Sequence, residues 1–332
     1  MDSITKWVNF VVQRGVQYLD LCTGMWSYPE VPISILTCST LVDLKITCFS
    51  VKESLSPITL PSLKTLYLEH ILFAKLRDFM LFLAGSPLLE DLFTLVISFE
   101  SEESLTRDEW KSFSLSNLTK AFLDCFRSKF HCRFQLKPVY NVSSLWLQID
   151  QVNCHNDFIP TFNNLTELEF ECCSLRYNWK LVVEVLKHCP KLQSLLLNEV
   201  MLKERFHRNN DNENWVDPDF VPQCLSLHLR TCSFSSCFGL HGTELAKYIL
   251  KNAEVLQTMK VRNTGQTKIK RQLSSCPRAS AICELKVYYV LETGDDVEDN
   301  EVEADDGDYA EDEFEDDFKK CYGPMVLLYE YE

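Results

Sequence analysis

Leu165-Thr-Glu-Leu168-Glu-Phe170-Glu-Cys-Cys173-Ser-Leu175 is the stretch on which the reading of this sequence turns. Alternate residues of an extended strand face the same side. Leu168 and Phe170 therefore point one way, and Glu167 and Glu169 the other. The first side must be buried. The next residues turn the chain, and Leu175 supplies another apolar anchor after the turn. One such unit cannot bury its own apolar face, so the pattern makes sense only if copies of it stack.

Copies are found on both sides of it. The form L-x-x-L-x-L, with Val, Ile, Phe or Met admitted, recurs clearly at Val16-Leu19-Leu21, Leu41-Leu44-Ile46, Leu63-Leu66-Leu68, Val142-Leu145-Leu147, Leu192-Leu195-Leu197 and Leu256-Met259-Val261. Weaker copies are Leu89-Leu92-Thr94, Leu118-Ala121-Leu123, Leu229-Cys232-Phe234 and Ile282-Leu285-Val287. The central positions are 19, 44, 66, 92, 121, 145, 168, 195, 232, 259 and 285. Their spacings run from 22 to 29 residues, apart from one gap of 37. That is the period of leucine-rich repeats. Cys173 stands where such repeats place Asn or Cys. Other copies put Ile71 or Val200 there, so an asparagine ladder is not expected at that position.

Between the strands, Leu76, Phe79, Met80 and Leu83 follow helical spacing, as do Trp179, Val182, Val183 and Leu186. Each set is followed by a proline joint, Ser86-Pro87 or Cys189-Pro190, which ends the helix. Ile4, Trp7, Val8 and Val11 predict a further helix at the start. The fold class expected is α/β: a leucine-rich-repeat solenoid of parallel strands with helical connections. The 37-residue gap holds the polar stretch Lys203 to Asp217, read as an exposed insertion. The expected organisation is repeats over 1–202, this insertion over 203–217, a second α/β unit over 218–290, an acidic disordered tail over 291–320 and a short segment over 321–332.

Charge follows this division. The 332-residue chain has a formal net charge of −15, and residues 295–317 alone hold fifteen Asp and Glu with no Lys or Arg. The remainder is formally neutral, which argues against nucleic acid or a membrane surface as partner. With nine glycines, and no G-x-G-x-x-G or G-x-x-x-x-G-K among them, a common nucleotide-phosphate loop is not expected. The longest apolar run, Phe79 to Ala84, is far short of the ~20 residues that span a bilayer. Fifteen scattered cysteines without C-x-x-C read as reduced core thiols of a cytoplasmic or nuclear protein. The N-x-[ST] matches at Asn117, Asn141 and Asn164 are then chance.

No catalytic or cofactor-binding set is found: neither G-x-S-x-G nor H-E-x-x-H occurs. His228, Cys232, Cys237 and His241 could in principle hold zinc, but the spacing fits no common finger, and Cys232 falls on a core repeat position. Strand alternation through Leu227-His228-Leu229 would put His228 opposite the leucines. A calcium-loop register around Gly307 fails, because Val302 and Ala304 occupy ligand positions. No metal is expected. What the pattern does offer is a binding face, because the x positions of parallel strands align into one concave surface. The candidate protein-binding residues are Tyr18, Asp20, Asp43, Lys45, Tyr67, Trp146, Gln148, Glu167, Glu169 and Leu196. Tyr67 and Trp146 lead, since aromatics anchor interfaces disproportionately.

Several stretches resemble a known family. Arg14-Gly-Val-Gln-Tyr-Leu-Asp-Leu21, Leu36-Thr-Cys-Ser-Thr-Leu-Val-Asp-Leu-Lys45, Leu60-Pro-Ser-Leu-Lys-Thr-Leu66 and Gly85-Ser-Pro-Leu-Leu-Glu-Asp-Leu92 are similar to plant F-box proteins with leucine-rich repeats. Pro222-Gln-Cys-Leu-Ser-Leu-His-Leu-Arg-Thr231, Glu244 to Leu256 and Cys276-Pro-Arg-Ala-Ser280 resemble the FBD domain that commonly follows those repeats. The resemblance implies a non-enzymatic protein that recruits a protein substrate for ubiquitination. Family members begin with an F-box that docks on a Skp adaptor. Here Met1 falls just before the first repeat, so the F-box is expected to be missing and Skp binding is not expected. A second expectation, from the layout of repeats and acidic tail, is a nuclear acidic leucine-rich-repeat protein that chaperones basic partners.

Overall fold

The computed structural model describes residues 2–24, 28–52, 58–101, 103, 105–124, 136–148, 159–172, 175–199, 215–235, 240–263 and 268–289. Eleven strands lie in one parallel sheet in strict chain order. They are β1 Tyr18–Cys22, β2 Asp43–Val51, β3 Thr65–Phe73, β4 Asp91–Phe99, β5 Lys120–Asp124, β6 Ser144–Gln148, β7 Glu167–Cys172, β8 Ser194–Glu199, β9 Thr231–Ser235, β10 Thr258–Asn263 and β11 Glu284–Tyr289. The described helices are α1 Asp2–Val12, α2 Ile33–Leu36, α3 Leu76–Ala84, α4 Arg107–Ser112, α5 Leu175–Lys187, α6 Gln223–Leu227, α7 Leu240–Asn252 and α8 Lys268–Ser274. The chain is a leucine-rich-repeat solenoid.

Register is set by the apolar pattern. All eleven expected central positions fall in one row, from Leu19 paired with Leu44 through Leu195 paired with Cys232 to Met259 paired with Leu285. All but the terminal Leu285 are buried. A slip of one residue in any strand would turn its whole apolar set outward. The adjacent core row runs Leu21, Ile46, Leu68, Thr94, Leu123, Leu147, Phe170, Leu197, Phe234, Val261. Its one polar member, Thr94, donates its hydroxyl to the Phe122 carbonyl at 3.0 Å, so no buried polar atom is left without a bond there.

β2, β3 and β4 are longer than a plain alternation allows. Cys48, His70 and Val96 adopt φ of +63°, +51° and +53°, one in each of three neighbouring strands. They sit between the partners Thr47, Glu69 and Leu95 and the partners Phe49, Ile71 and Ile97. The left-handed residue resets the parity of the strand. Before it Leu44 and Ile46 face the core, and after it Phe49 and Val51 do. Left-handed backbone costs a non-glycine residue ~1–2 kcal/mol. The burial of Phe49, Ile71, Phe73 and Phe99 offsets it.

The joints between repeats explain the Asn-x-Ser/Thr triplets. The Asn117 amide donates to the Pro87 carbonyl at 2.8 Å, Asn141 donates to the Ser116 carbonyl, and Asn164 donates to Asn141 Oδ1 at 2.8 Å. Two residues on, the hydroxyls of Thr119, Ser143 and Thr166 donate to the carbonyls of Glu90, Thr119 and Ser143. These triplets are therefore a repeated structural device and not chance. They tie the start of each strand to the repeat before it. The asparagine ladder that Ile71 denies to the usual position is built here instead. Gly85, at the end of α3, marks another joint: a Cβ on it would lie 2.5 Å from the Ile58 carbonyl oxygen.

Helical expectations hold on α3 and α5, where Leu76, Phe79, Met80, Leu83, Trp179, Val182, Val183 and Leu186 are all buried. Two details are corrected. On α1 Val8 is buried, but Trp7 is 53% exposed, so the packed face is narrower than expected. Leu227 closes α6 and is exposed, and the strand alternation assumed through His228 is absent because residues 223–227 are helical. Residues 201–214, Cys173 and the chain from residue 290 on lie outside the described residues.

The sheet continues past the polar stretch, because β8 pairs directly with β9. Residues 1–291 form one compact unit. The returning chain is anchored by aromatics. Trp215 packs 4.4 Å from Trp179 of α5 and 6.2 Å from Tyr248 of α7, and the Tyr248 hydroxyl donates to the Phe220 carbonyl at 2.8 Å.

Candidate protein-binding face

The face of the sheet opposite the core carries three rows of side chains. The middle row reads Asp20, Lys45, Tyr67, Phe93, Phe122, Trp146, Glu169, Leu196, Ser233, Lys260, Lys286. Four aromatic residues occupy it on four successive strands, and their rings stack. Tyr67 and Phe93 have centroids 4.2 Å apart at 3°, Phe93 and Phe122 4.1 Å at 17°, and Phe122 and Trp146 3.7 Å at 6°. Strand spacing is ≈ 4.7–4.9 Å, so rings standing upright on neighbouring strands meet face to face. At the N-terminal end the Lys45 ammonium lies 4.9 Å from the Tyr67 ring centroid and is paired at 3.6 Å with Asp20.

Polar groups of the third row border this stack. The Tyr67 hydroxyl donates to Glu69 at 3.0 Å. Burial, then the charge and hydrogen bond of Glu69, hold the phenol well above its ordinary range. Gln148 donates to Glu171 at 2.7 Å, and Asn198 donates to Glu169 at 2.8 Å.

The residues singled out from sequence are brought onto one face, with unequal access. Tyr18 is 68% exposed, and Asp20, Lys45 and Glu167 are exposed. Asp43, Tyr67, Glu169 and Leu196 are half-buried. Trp146 and Gln148, expected on an open surface, are buried at 7% and 6% exposure. The Trp146 ring lies flat on Phe122 and the Gln148 amide is tied to Glu171, so both support the face from within it. Phe93 and Phe122 were missed. They occupy the same x position as Tyr67 and Trp146, but in two of the weaker repeat copies.

Burial pushes the Cys224 thiol up to about 12, and those of Cys189 and Cys232 further, which keeps them protonated. Cys232 is fully buried in the core row, and Cys237 lies outside the described residues. Among the described residues no group of three or more His, Cys, Asp or Glu could hold a metal ion. No described helix is long and apolar enough to cross a membrane.

Comparison with known proteins fits this architecture. The family model for the leucine-rich repeats of the FBD-associated F-box protein At5g56370 matches residues 4–121, and the FBD model matches residues 217–261. The chain carries the repeat and FBD modules of the plant F-box/FBD/leucine-rich-repeat family. The FBD-associated F-box protein At5g56370 of Arabidopsis thaliana is 28% identical, over 85% of this chain and 78% of its own length. The F-box/FBD/LRR-repeat protein At4g00160 of the same plant is 26% identical, over 76% of this chain and 65% of its own. A third, the F-box/FBD/LRR-repeat protein At1g51370, is 23% identical, over 85% of this chain and 75% of its own. The FBD match spans α6, β9, α7 and most of β10, so the FBD module here is two further repeats stacked on the same sheet.

Proposed function

We propose that the chain recognises a protein partner on the outer face of its sheet, with the ring ladder from Tyr67 to Trp146 as the floor of the contact. The observation that carries this reading is the ladder itself. Four aromatic side chains stand in register on the face that the core does not use. Aromatic anchors dominate binding energy at protein interfaces, and rings already held by stacking lose little freedom on contact. Tyr67 and Phe93 are the half-open members, and the buried Phe122 and Trp146 hold them upright. The relatives are F-box proteins by name. By that likeness the partner is a protein of the kind that F-box proteins recruit as substrates.

The test is affinity capture of a plant-extract partner by the full chain, repeated with Tyr67→Ala/Phe93→Ala. Truncating two anchors costs over ~1 kcal/mol each at a hot spot, so retention should drop at least about tenfold. Circular dichroism has to show the variant folded. Ile282→Ser, a change at a residue 71% exposed, should retain the partner. Equal retention by the wild type and the double variant would remove the ladder from the function.

A further inference from the structure

The open members of the ring ladder offer one kind of aromatic surface. Phe93 has Tyr67 on one face, with centroids 4.2 Å apart at 3°, and Phe122 on the other at 4.1 Å and 17°. Both of its π faces are spent inside the ladder, so the half-buried ring meets solvent along its C–H edge. Tyr67 is placed alike. One face lies on Phe93, the other has the Lys45 ammonium 4.9 Å from its centroid, and the hydroxyl is donated to Glu69.

Faces and edges differ in charge: an aromatic ring is negative on its face and positive along its edge. A cation is held over a face, and the bases of single-stranded nucleic acid stack on faces too. Neither finds a free face on Tyr67 or Phe93. An edge attracts instead the negative face of another ring, in the T-shaped arrangement. The core of the same repeats already contains that contact, where Phe73 and Phe82 meet at 82° with centroids 6.2 Å apart. An edge attracts a carboxylate as well, but Glu69 borders these two rings and repels one, and Lys45 is already paired with Asp20 at 3.6 Å.

Taking the ladder as the contact face, on which this step rests, we propose that the partner group seated there is an aromatic side chain. It lies with its face across the parallel edges of Tyr67 and Phe93. Those edges belong to neighbouring strands, so one ring can cover both.

Ligand-observed NMR titration of the full chain tests this with four probes: benzyl alcohol, cyclohexylmethanol, tetramethylammonium and adenosine monophosphate. The first two match in size, and only benzyl alcohol has a π face. It should bind about threefold to tenfold more tightly than cyclohexylmethanol, with the cation and the nucleotide weaker than either. Phe93→Leu and Tyr67→Leu each keep an apolar side chain without a ring. Each should reduce the preference, Phe93→Leu to near parity, with circular dichroism showing the variants folded. Equal affinities in the wild type, a preference that survives both substitutions, tighter binding of the cation or the nucleotide, or no binding of benzyl alcohol overturns the proposal. Partner capture with Tyr67→Ala/Phe93→Ala judges the ladder itself. Loss of the captured partner without a preference for benzyl alcohol would keep the ladder and remove the aromatic group from it.

Discussion

The repeats of β3–β6 and those of β9–β11 share one core register and differ almost completely on the other face. The first set stacks Tyr67, Phe93, Phe122 and Trp146, and the second presents Ser233, Lys260 and Lys286 at the same row position. The row that faces the core holds each strand in place, and the row beside it is released from that task. A substitution one residue along a strand therefore moves from fold to surface. The sharpest way to break this comparison is at neighbouring residues of β8. Leu195 is 1% exposed in the central core row, and Leu196 is half-buried on the outer face. Leu195→Ala should cost ~2–5 kcal/mol of unfolding free energy, and Leu196→Ala under ~1 kcal/mol. Urea titrations of the two variants check it. Equal costs would mean that the outer row also holds the fold.

The two regions also differ inside. Around β2–β4 the central core row is Leu44, Leu66 and Leu92. Around β9 it is Cys232, and Cys189 after α5 and Cys224 in α6 are buried as well. Burial raises the Cys224 thiol from 9.0 to about 12. A thiol is charged only after losing its proton. The folded state thus keeps a proton that the unfolded chain releases, and stability falls as pH rises above 9, levelling off above 12. The slope approaches about 1.4 kcal/mol per pH unit for each such thiol. Urea titrations repeated at rising pH above 9 should show this fall, and Cys224→Val should reduce the slope. A slope unchanged by that substitution would place the alkaline sensitivity elsewhere.

Much of the fold was legible because a strand period of two and a repeat of 22–29 residues are both written in the side chains that must be buried. Even Ala121 and Cys232, poor apolar residues, fell on the row because stacking fixed their neighbours. The parity change at Cys48, His70 and Val96 could not be read, since a left-handed residue without glycine leaves no mark in the sequence. The candidate face was legible as a row but not as a surface. Sequence places Trp146 and Gln148 on the correct side, and cannot show that one is covered by a ring and the other held by Glu171.

The smallest expected effect concerns the joints, where the middle and C-terminal repeats differ again. From Asn117 to Thr166 side chains tie each strand start to the preceding repeat, whereas at the corresponding positions before β8 and β9 stand Lys191 and His228. Asn141 is the central link, donating to the Ser116 carbonyl and accepting from Asn164. Both bonds are solvent-exposed, so water replaces part of what is lost when the side chain is removed. Asn141→Ala should cost about 1 kcal/mol. Asn141→Asp keeps the acceptor for Asn164 but cannot donate to Ser116, and should fall between the two. Adding a link where none exists is the converse: Lys191→Asn should be neutral or stabilising by a few tenths of a kcal/mol. A series of urea midpoints ordered wild type, Asp, Ala would confirm that the ladder acts through its hydrogen bonds. If Asn141→Asp and Asn141→Ala are equally costly, the donated bond to Ser116 carries the whole effect, and the bond between the two asparagines contributes nothing to stability.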